Sequence, residues 1–228
     1  MTKFDQENFN QFILENNIIG FFEEPITLKS GRQSLWYINW RNIVEDVFLL
    51  DKLTDYILAF VQDLNLKPDC FYGVPEGATK LAIVIQYKFA KKSSNYGPGS
   101  HVLSMGRGKI KDHGDPKDRF FLGQPQGKVI ILEDVTTTGN SLIETIDRLK
   151  ELNIQIIAAI SLTNRMELRD DRKSVKEAVE EKGISYFQMS NALELLPLVY
   201  QKLKPKEEIA EKIEEEFQKY GIQKLKLL

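Results

Sequence analysis

Two adjacent acids followed by a short polar loop are the residues of this chain that are best suited to chemistry. Glu133 and Asp134 come directly after the apolar run 129–132, and the loop 135–141 has the sequence VTTTGNS. The backbone N–H groups of such a loop, with the positive end of a following helix, can bind phosphate. Carboxylates at the end of a strand suit ribose hydroxyls or a hydrated Mg²⁺, which prefers oxygen ligands. Residues 128–142 therefore predict an anion-binding loop with acids beside it.

A plainer interpretation of the same loop is that its Thr, Asn and Ser side chains only cap the helix predicted from Leu142. Capping requires neither an acid pair nor the three consecutive threonines at 136–138. We therefore favour the anion-binding interpretation.

The elements that must position these residues follow from the hydrophobic pattern. The run 129–132 is short and branched, which is typical of a strand buried on both faces. Strands and helices alternate over 69–189, which favours an α/β fold with a parallel sheet between helices. Ligands of such sheets bind at the carboxyl ends of the strands. The predicted strands of this region are 70–73, 101–105, 129–132, 154–162 and 184–189.

The flanking segments predict a cover for that edge of the sheet. Residues 4–19 have a helical pattern, and 21–28 and 35–40 read as two strands around a turn. The tail from 191 is helical, and its Glu and Lys spacing of four predicts a solvated face. We expect a single domain over 1–228, with a hood at about 1–45, a core at about 46–190 and a helical tail at 191–228.

Composition narrows the class of protein. Of the 228 residues, 42% are hydrophobic and 28% charged, and the net charge is −2, so no overall basic field favours nucleic acid or a membrane surface. The one cysteine excludes an intrachain disulfide and suits a reducing compartment. The first residues are too polar for a signal peptide, and no apolar run approaches a membrane span. We expect a cytoplasmic protein without nucleic-acid or membrane partners.

Residues 128–142 resemble the signature with which type I phosphoribosyltransferases bind 5-phosphoribosyl-1-pyrophosphate (PRPP). The resemblance implies that family's parallel sheet flanked by helices, an N-terminal hood of a helix and short strands, and a mobile catalytic loop. It also implies Mg²⁺, held mainly by PRPP and water and near Glu133 and Asp134. The residues on which it places PRPP binding are Arg107, Glu133, Asp134, Thr136, Thr137, Thr138, Gly139, Asn140, Ser141, Glu76 and Gly77.

Three further motifs resemble those of orotate phosphoribosyltransferases. The segment 27–34, TLKSGRQS, resembles the N-terminal motif, the segment 107–114, RGKIKDHG, the mobile catalytic loop, and the segment 162–167, LTNRME, a turn whose Arg supports the orotate ring. The resemblance implies an orotate site formed by Lys29, Tyr37, Ile38, Thr137 and Arg165. It implies catalytic roles for Lys109, Lys111, His113 and Asp134.

The chain departs from the family pattern at several of these positions. Ile38 replaces an aromatic residue, and Gly108 stands where a Lys is expected, with Lys109 one place along. Glu76-Gly77 replaces the Tyr-Lys pair of many members, so pyrophosphate contacts would come mostly from the backbone. Taken alone, segment 27–34 is better explained as a basic turn, and segment 107–114 as a solvated surface.

The order of the motifs predicts an orotate phosphoribosyltransferase, which converts orotate and PRPP to orotidine 5′-monophosphate (OMP) and pyrophosphate. The resemblance also implies a homodimer whose catalytic loop reaches the neighbouring subunit's site. Two alternatives remain at this point. One is a phosphoribosyltransferase for another nucleobase, and the other is a PRPP-sensing regulator that has lost catalysis.

Overall fold

The central element is a four-stranded sheet that is parallel throughout. The computed structural model describes residues 3–107 and 119–228. Its strands β3 (Cys70–Gly73), β6 (Lys128–Thr136), β7 (Gln155–Asn164) and β8 (Ser185–Asn191) pair in that order. This arrangement confirms the α/β fold class that the alternation of strands and helices predicts.

The two faces of the sheet are covered by different sets of elements. Ile130 and Leu132 of β6 belong to one hydrophobic cluster, and Val129 and Ile131 to another, as expected for alternate residues of a buried strand. All four of these residues are fully buried, which explains the unbroken apolar run. The first cluster includes residues of α1 (Gln6–Glu15), β2 (Gln33–Ile38), α3 (Val47–Asp63), α4 (Thr79–Lys91), α7 (Ala192–Leu203) and α8 (Glu207–Tyr220). The second includes residues of β5 (Phe121–Leu122), α5 (Asn140–Glu151) and α6 (Val175–Glu180).

The hood is a helix followed by an antiparallel hairpin. Strand β1 (Ile19–Thr27) pairs with β2, and the short helix α2 (Arg41–Val44) comes next. The register pairs Thr27 with Gln33, which leaves residues 28–32 as the turn. This confirms the predicted helix and two strands, while α2 was not predicted.

The predicted strand at 101–105 is shorter than expected. Only Met105–Gly106, β4, is a strand, and it pairs with β5. The side-chain amide of Gln86 explains the difference, because it makes the hydrogen bonds that backbone groups of a paired strand would make. Gln86 Nε2 donates to Val102 O at 2.9 Å and to Asp69 O at 3.3 Å, and Gln86 Oε1 accepts from Phe71 N at 3.0 Å.

The charged tail is not a simple solvated face. Helix α8 buries Ile209, Ala210, Ile213 and Phe217 against the core, and its Glu216 forms an ion pair with a buried arginine. The prediction was wrong at Glu216 because helical spacing cannot show which element faces a given side chain. Across the described residues, no helix combines the length and the apolar character needed to cross a membrane.

Candidate active site

An open cleft of about 720 Å³ lies at the carboxyl ends of β3 and β6. Of the residues predicted to bind ligands, those lining it are Lys29, Glu76, Gly77, Arg107, Glu133, Asp134, Thr137, Thr138, Gly139, Asn140 and Ser141. The structure therefore brings together the acid pair, the small-residue loop and the hood lysine. Four lining residues that sequence reasoning missed are Arg41, Glu144, Thr145 and Arg148.

The loop between β6 and α5 has the geometry of an anion site. Gly139 is the N-cap of α5 and has φ +68°, a left-handed conformation that glycine adopts readily. Among the described residues, no side chain caps this helix end, so the capping interpretation of the loop is wrong. A Cβ at Gly139 would lie 2.8 Å from Val175 Cγ1, which is a second reason for glycine at this position.

The acid pair lies beside this loop. Burial raises the pKa of the Glu133 carboxyl well above its usual range, the charge of Asp134 raises it further, and the charge of Lys29 opposes both. Asp134 Oδ1 accepts a hydrogen bond from Val135 N at 2.9 Å, which fixes that carboxylate at the end of the strand. Both acids line the cleft, so their oxygens can meet a ligand.

Gly77 brings the loop after β3 close to the acid pair. A Cβ at Gly77 would lie 2.5 Å from Asp134 Oδ2, and its three nearest atoms all belong to that carboxyl group. A side chain at position 77 therefore requires Asp134 to move. This contact gives a physical reason for glycine where many family members carry a longer residue.

The hood reaches the cleft through Lys29. Its Nζ donates to Ser141 Oγ at 2.8 Å, which joins the β1–β2 turn to the first turn of α5. The turn contains Gly31 at φ +82°, again a conformation that favours glycine. Lys29 thus places a positive charge beside the loop and the acids.

The back of the anion loop is held by residues that do not line the cleft. Arg169 Nη1 donates to Thr138 O and, at 3.1 Å, to Asn140 Oδ1. Thr136 is buried, and its Oγ1 lies 2.8 Å from Tyr186 Oη, so its side chain supports the loop from behind. Arg169 was missed because nothing in the sequence marks an arginine five residues after the end of β7 as a contact of this loop.

Arg165 lies outside the cleft, contrary to expectation. Its side chain is 2% exposed, and its Cζ lies 3.6 Å from the centroid of the Trp36 ring. Its Nε donates to Glu167 Oε1 at 2.6 Å, and its Nη2 donates to Ser34 Oγ at 2.9 Å and to Glu216 Oε1 at 2.8 Å. The guanidinium of Arg165 is thus used in a buried network, and its contact with orotate stays a prediction.

Two other predicted residues that the structure describes, Tyr37 and Ile38, do not line the cleft. Tyr37 is half-buried in β2, and Ile38 is buried in the hydrophobic cluster that covers the first face of the sheet. Lys109, Lys111 and His113 lie outside the described residues. Their assignment as catalytic residues stays a prediction.

A family model of the phosphoribosyl transferase domain matches residues 40–192, more than half of the chain. The curated orotate phosphoribosyltransferase of Bifidobacterium adolescentis is 30% identical over 218 residues, covering 86% of this chain and 86% of that protein. The chain belongs to the orotate phosphoribosyltransferase family. The resemblance carried by its motifs is thereby confirmed.

Other members of the orotate phosphoribosyltransferase family match over nearly the whole length. The protein of Clostridium botulinum strain Alaska E43 is 28% identical over 228 residues, covering 95% of this chain and 97% of its own. The crystal structure of orotate phosphoribosyltransferase from Francisella tularensis shares the fold, with a TM-score of 0.66 at 24% identity. It covers 94% of this chain and 99% of that one.

The acid pair of this phosphoribosyltransferase suits a Mg²⁺ ion that is held mainly by water and substrate. Among the described residues, no three His, Cys, Asp or Glu side chains are grouped as a protein metal site requires. Glu133 and Asp134 supply two carboxylates at the cleft. Two carboxylates fit an ion that keeps most of its ligands from water and substrate oxygens, and do not fit a cage built by the protein alone.

Proposed function

We propose that this protein catalyses the transfer of 5-phosphoribose from PRPP to orotate, giving OMP and pyrophosphate in the de novo synthesis of UMP. The observation that carries the proposal is the cleft in which Glu133 and Asp134 lie beside the glycine-centred loop 137–141. That combination provides acceptors for ribose hydroxyls and donors for a 5′-phosphate in one cavity. In this function the hood, core and tail act as one domain.

The chemistry requires pyrophosphate to leave C1 of the ribose while a ring nitrogen of orotate attacks it. The carboxylates of Glu133 and Asp134 accept hydrogen bonds from the ribose hydroxyls and hold the sugar. The backbone N–H groups around Gly139 hold the 5′-phosphate at the helix end. Fixing both reactants in line lowers the entropic part of the barrier. Bound Mg²⁺ would supply charge stabilisation at the diphosphate oxygens.

Orotate differs from other pyrimidines by its carboxylate, which calls for a cation. Lys29 is positioned for this role, because it lies on the cleft at the hood side of the anion loop. Thr137 lines the same cleft and can contact the ring, and Tyr37 and Ile38 are assigned to the wall on motif resemblance. Lys109, Lys111, His113 and Arg107 are assigned to the diphosphate and the leaving group on the same grounds.

The decisive experiment supplies the purified protein with PRPP, Mg²⁺ and a panel of bases: orotate, uracil, adenine and hypoxanthine. We expect pyrophosphate release only with orotate, and none from an Asp134→Asn variant. Turnover with another base would favour a different phosphoribosyltransferase. Tight PRPP binding without turnover of any base would favour the regulator. Equal use of uracil would refute recognition of the carboxylate.

We also propose a homodimer with active sites shared between subunits, located in the cytoplasm. Large apolar side chains are exposed on α3 and α4: Val47 at 84%, Phe48 at 67% and Tyr87 at 58%. Lys88 joins the two helices through an ion pair to Asp51 at 2.8 Å. These side chains offer apolar area that a second subunit can bury. Burial raises the pKa of Cys70 to about 11, consistent with an inert thiol in a reducing compartment.

Mixing two inactive proteins tests the shared site. One carries Lys111→Ala with His113→Ala, and the other carries Asp134→Asn. If the loop acts on the partner's site, random mixing restores roughly a quarter of normal activity, because half of the dimers gain one intact site. If the loop acts on its own chain, verified subunit exchange restores nothing.

A further inference from the structure

Within the described part of the chain, one wall of the cleft contributes no positive side chain. It is formed by Pro75, Glu76 and Gly77. A side chain at Gly77 would collide with Asp134, and Glu76 adds a negative charge. Under the function proposed above, the diphosphate of the substrate has to find its cations on other walls.

Helix α5 forms another wall and carries Arg148 into the cleft. Ser141, Thr145 and Arg148 recur at helical spacing, and all three line the cavity. The stripe therefore runs from the anion loop along the helix for two turns. Arg148 is the positive residue at its far end.

Tyr72 relates the position of Arg148 to the wall formed by Pro75, Glu76 and Gly77. Burial raises the pKa of Tyr72 to about 12, and the nearby charge of Arg148 opposes that rise. A Cβ at Gly106 would overlap Tyr72 Oη and lie 2.9 Å from Pro75 Cγ, so these groups converge at one point. Arg148 therefore lines the same cleft as Pro75 and is within electrostatic range of Tyr72, whose hydroxyl lies beside Pro75 and β4.

Residues 3–107 and 119–228 leave the guanidinium of Arg148 without a hydrogen-bond or ion-pair partner. This holds although Glu144 lies one turn earlier on the same helix and also lines the cleft. Its side chain is only partly exposed. A partly buried guanidinium has five N–H donors to satisfy, and an anionic ligand can supply the acceptors.

We propose that Arg148 binds the diphosphate group of PRPP and the pyrophosphate product, supplying from α5 a cation that the loop at Gly77 does not provide. This assignment rests on the proposed function. An arginine suits the role because its planar fork can donate two parallel hydrogen bonds to phosphate oxygens.

The test measures dissociation constants by calorimetry for pyrophosphate, PRPP and OMP at fixed Mg²⁺, in the unmodified protein and in Arg148→Gln, Arg148→Lys and Lys150→Gln. Loss of a charged hydrogen bond predicts roughly tenfold to hundredfold weaker binding of pyrophosphate and PRPP by Arg148→Gln. OMP lacks the diphosphate, so its affinity should change by less than about twofold, well below that range. Arg148→Lys should recover part of the loss. Lys150 is the matched control, because it lies on the same helix and its Nζ donates to Lys182 O outside the cleft.

Two results would overturn the assignment. One is unchanged pyrophosphate affinity in Arg148→Gln, and the other is equal weakening of OMP and PRPP, which would place Arg148 at the 5′-phosphate or in general folding. If Arg148→Gln does not fold, the same comparison is made in Arg148→Lys, which keeps the charge and loses the fork. Formation of OMP by the unmodified protein tests the proposed function separately, since these binding measurements need no catalysis.

Discussion

Arg165 and Glu216 form an ion pair, with 2.8 Å between Nη2 and Oε1, that joins the end of the sheet to the last helix of the chain. Their side chains are 2% and 8% exposed. Glu167 accepts from Arg165 and also from Arg32 of the hood turn, whose Cζ lies 4.4 Å from the centroid of the Tyr220 ring. These two arginines and two glutamates therefore tie the hood, the strand end and α8 together.

Glu216 should make stability depend on pH. Burial raises its pKa to about 6 from a usual 4.5, Arg165 opposes the rise, and Glu167 adds to it. A carboxyl with a raised pKa binds its proton more tightly when folded, so stability falls as pH rises from about 4.5 to about 6. Glu216→Gln removes this dependence. The free energy of unfolding of Glu216→Gln minus that of the unmodified protein should increase between pH 4.5 and about 6, by at most roughly 2 kcal/mol.

Urea unfolding at several pH values measures this difference, and Glu215→Gln is the control. Glu215 is the preceding residue of α8 and is exposed, so its substitution should give a difference that stays flat with pH. If Glu216→Gln instead loses stability as pH rises, the ion pair with Arg165 outweighs the cost of burial.

Arg165→Ala should lower the stability of the fold much more than it lowers the affinity for orotate. The substitution leaves the buried carboxylates of Glu167 and Glu216 without a shared cation, and breaking a buried pair costs roughly 3–5 kcal/mol. Because Arg165 does not line the cleft, the folded fraction should bind orotate almost normally. Urea unfolding and calorimetry with orotate separate the two effects. Normal stability with orotate affinity reduced about tenfold or more, the cost of one charged hydrogen bond, would restore the ligand-binding role.

The fold was largely predictable because its strands are buried on both faces and read as apolar runs. Cys70–Gly73 coincides with such a run, whereas Lys128–Thr136 contains the run 129–132 and continues through the acid pair to Thr136, a residue that the sequence placed in the loop. The strand expected at 101–105 is shorter in the structure, because the side chain of Gln86 bridges Val102 to Phe71 of β3 in place of backbone pairing. Such a long-range amide contact leaves no trace in local periodicity.

The part of the site that could be predicted is the part whose functional residues lie close together in the sequence. The acid pair and Gly139 need particular residue types at adjacent positions, so a short stretch reveals them. Arg148 and Arg169 act from a helix face and from a distant turn, and only the tertiary structure brings them to the cleft or its supporting loop. Arg165 was misplaced because the sequence shows that it follows a strand and does not show which side it faces.

Arg169→Gln should weaken binding of the 5′-phosphate. The arginine holds Thr138 O and Asn140 Oδ1, so its loss frees the anion loop that the phosphate must meet. A charged hydrogen bond is worth roughly 1.5–3 kcal/mol, so affinities for PRPP and OMP should fall together by about tenfold to hundredfold. Calorimetry measures both, and Arg172→Gln, an exposed arginine of the same turn, is the control. A loss for PRPP alone would contradict this role.

Gly77→Ala should inactivate the protein by moving Asp134. The new Cβ would lie 2.5 Å from Oδ2 and 2.7 Å from Cγ of that residue, with no left-handed backbone to add strain. Displacement of a positioning group by about 1 Å can cost on the order of a hundredfold in rate, and we expect kcat/KM to fall by about that factor. Gly20→Ala is the control, since a Cβ there meets nothing within 4 Å and its φ is also not left-handed. Orotate affinity should change little, because Gly77 and Lys29 contact different parts of the cleft. Full activity in Gly77→Ala would mean that Asp134 shifts without cost, and would remove it from the residues that position the ribose.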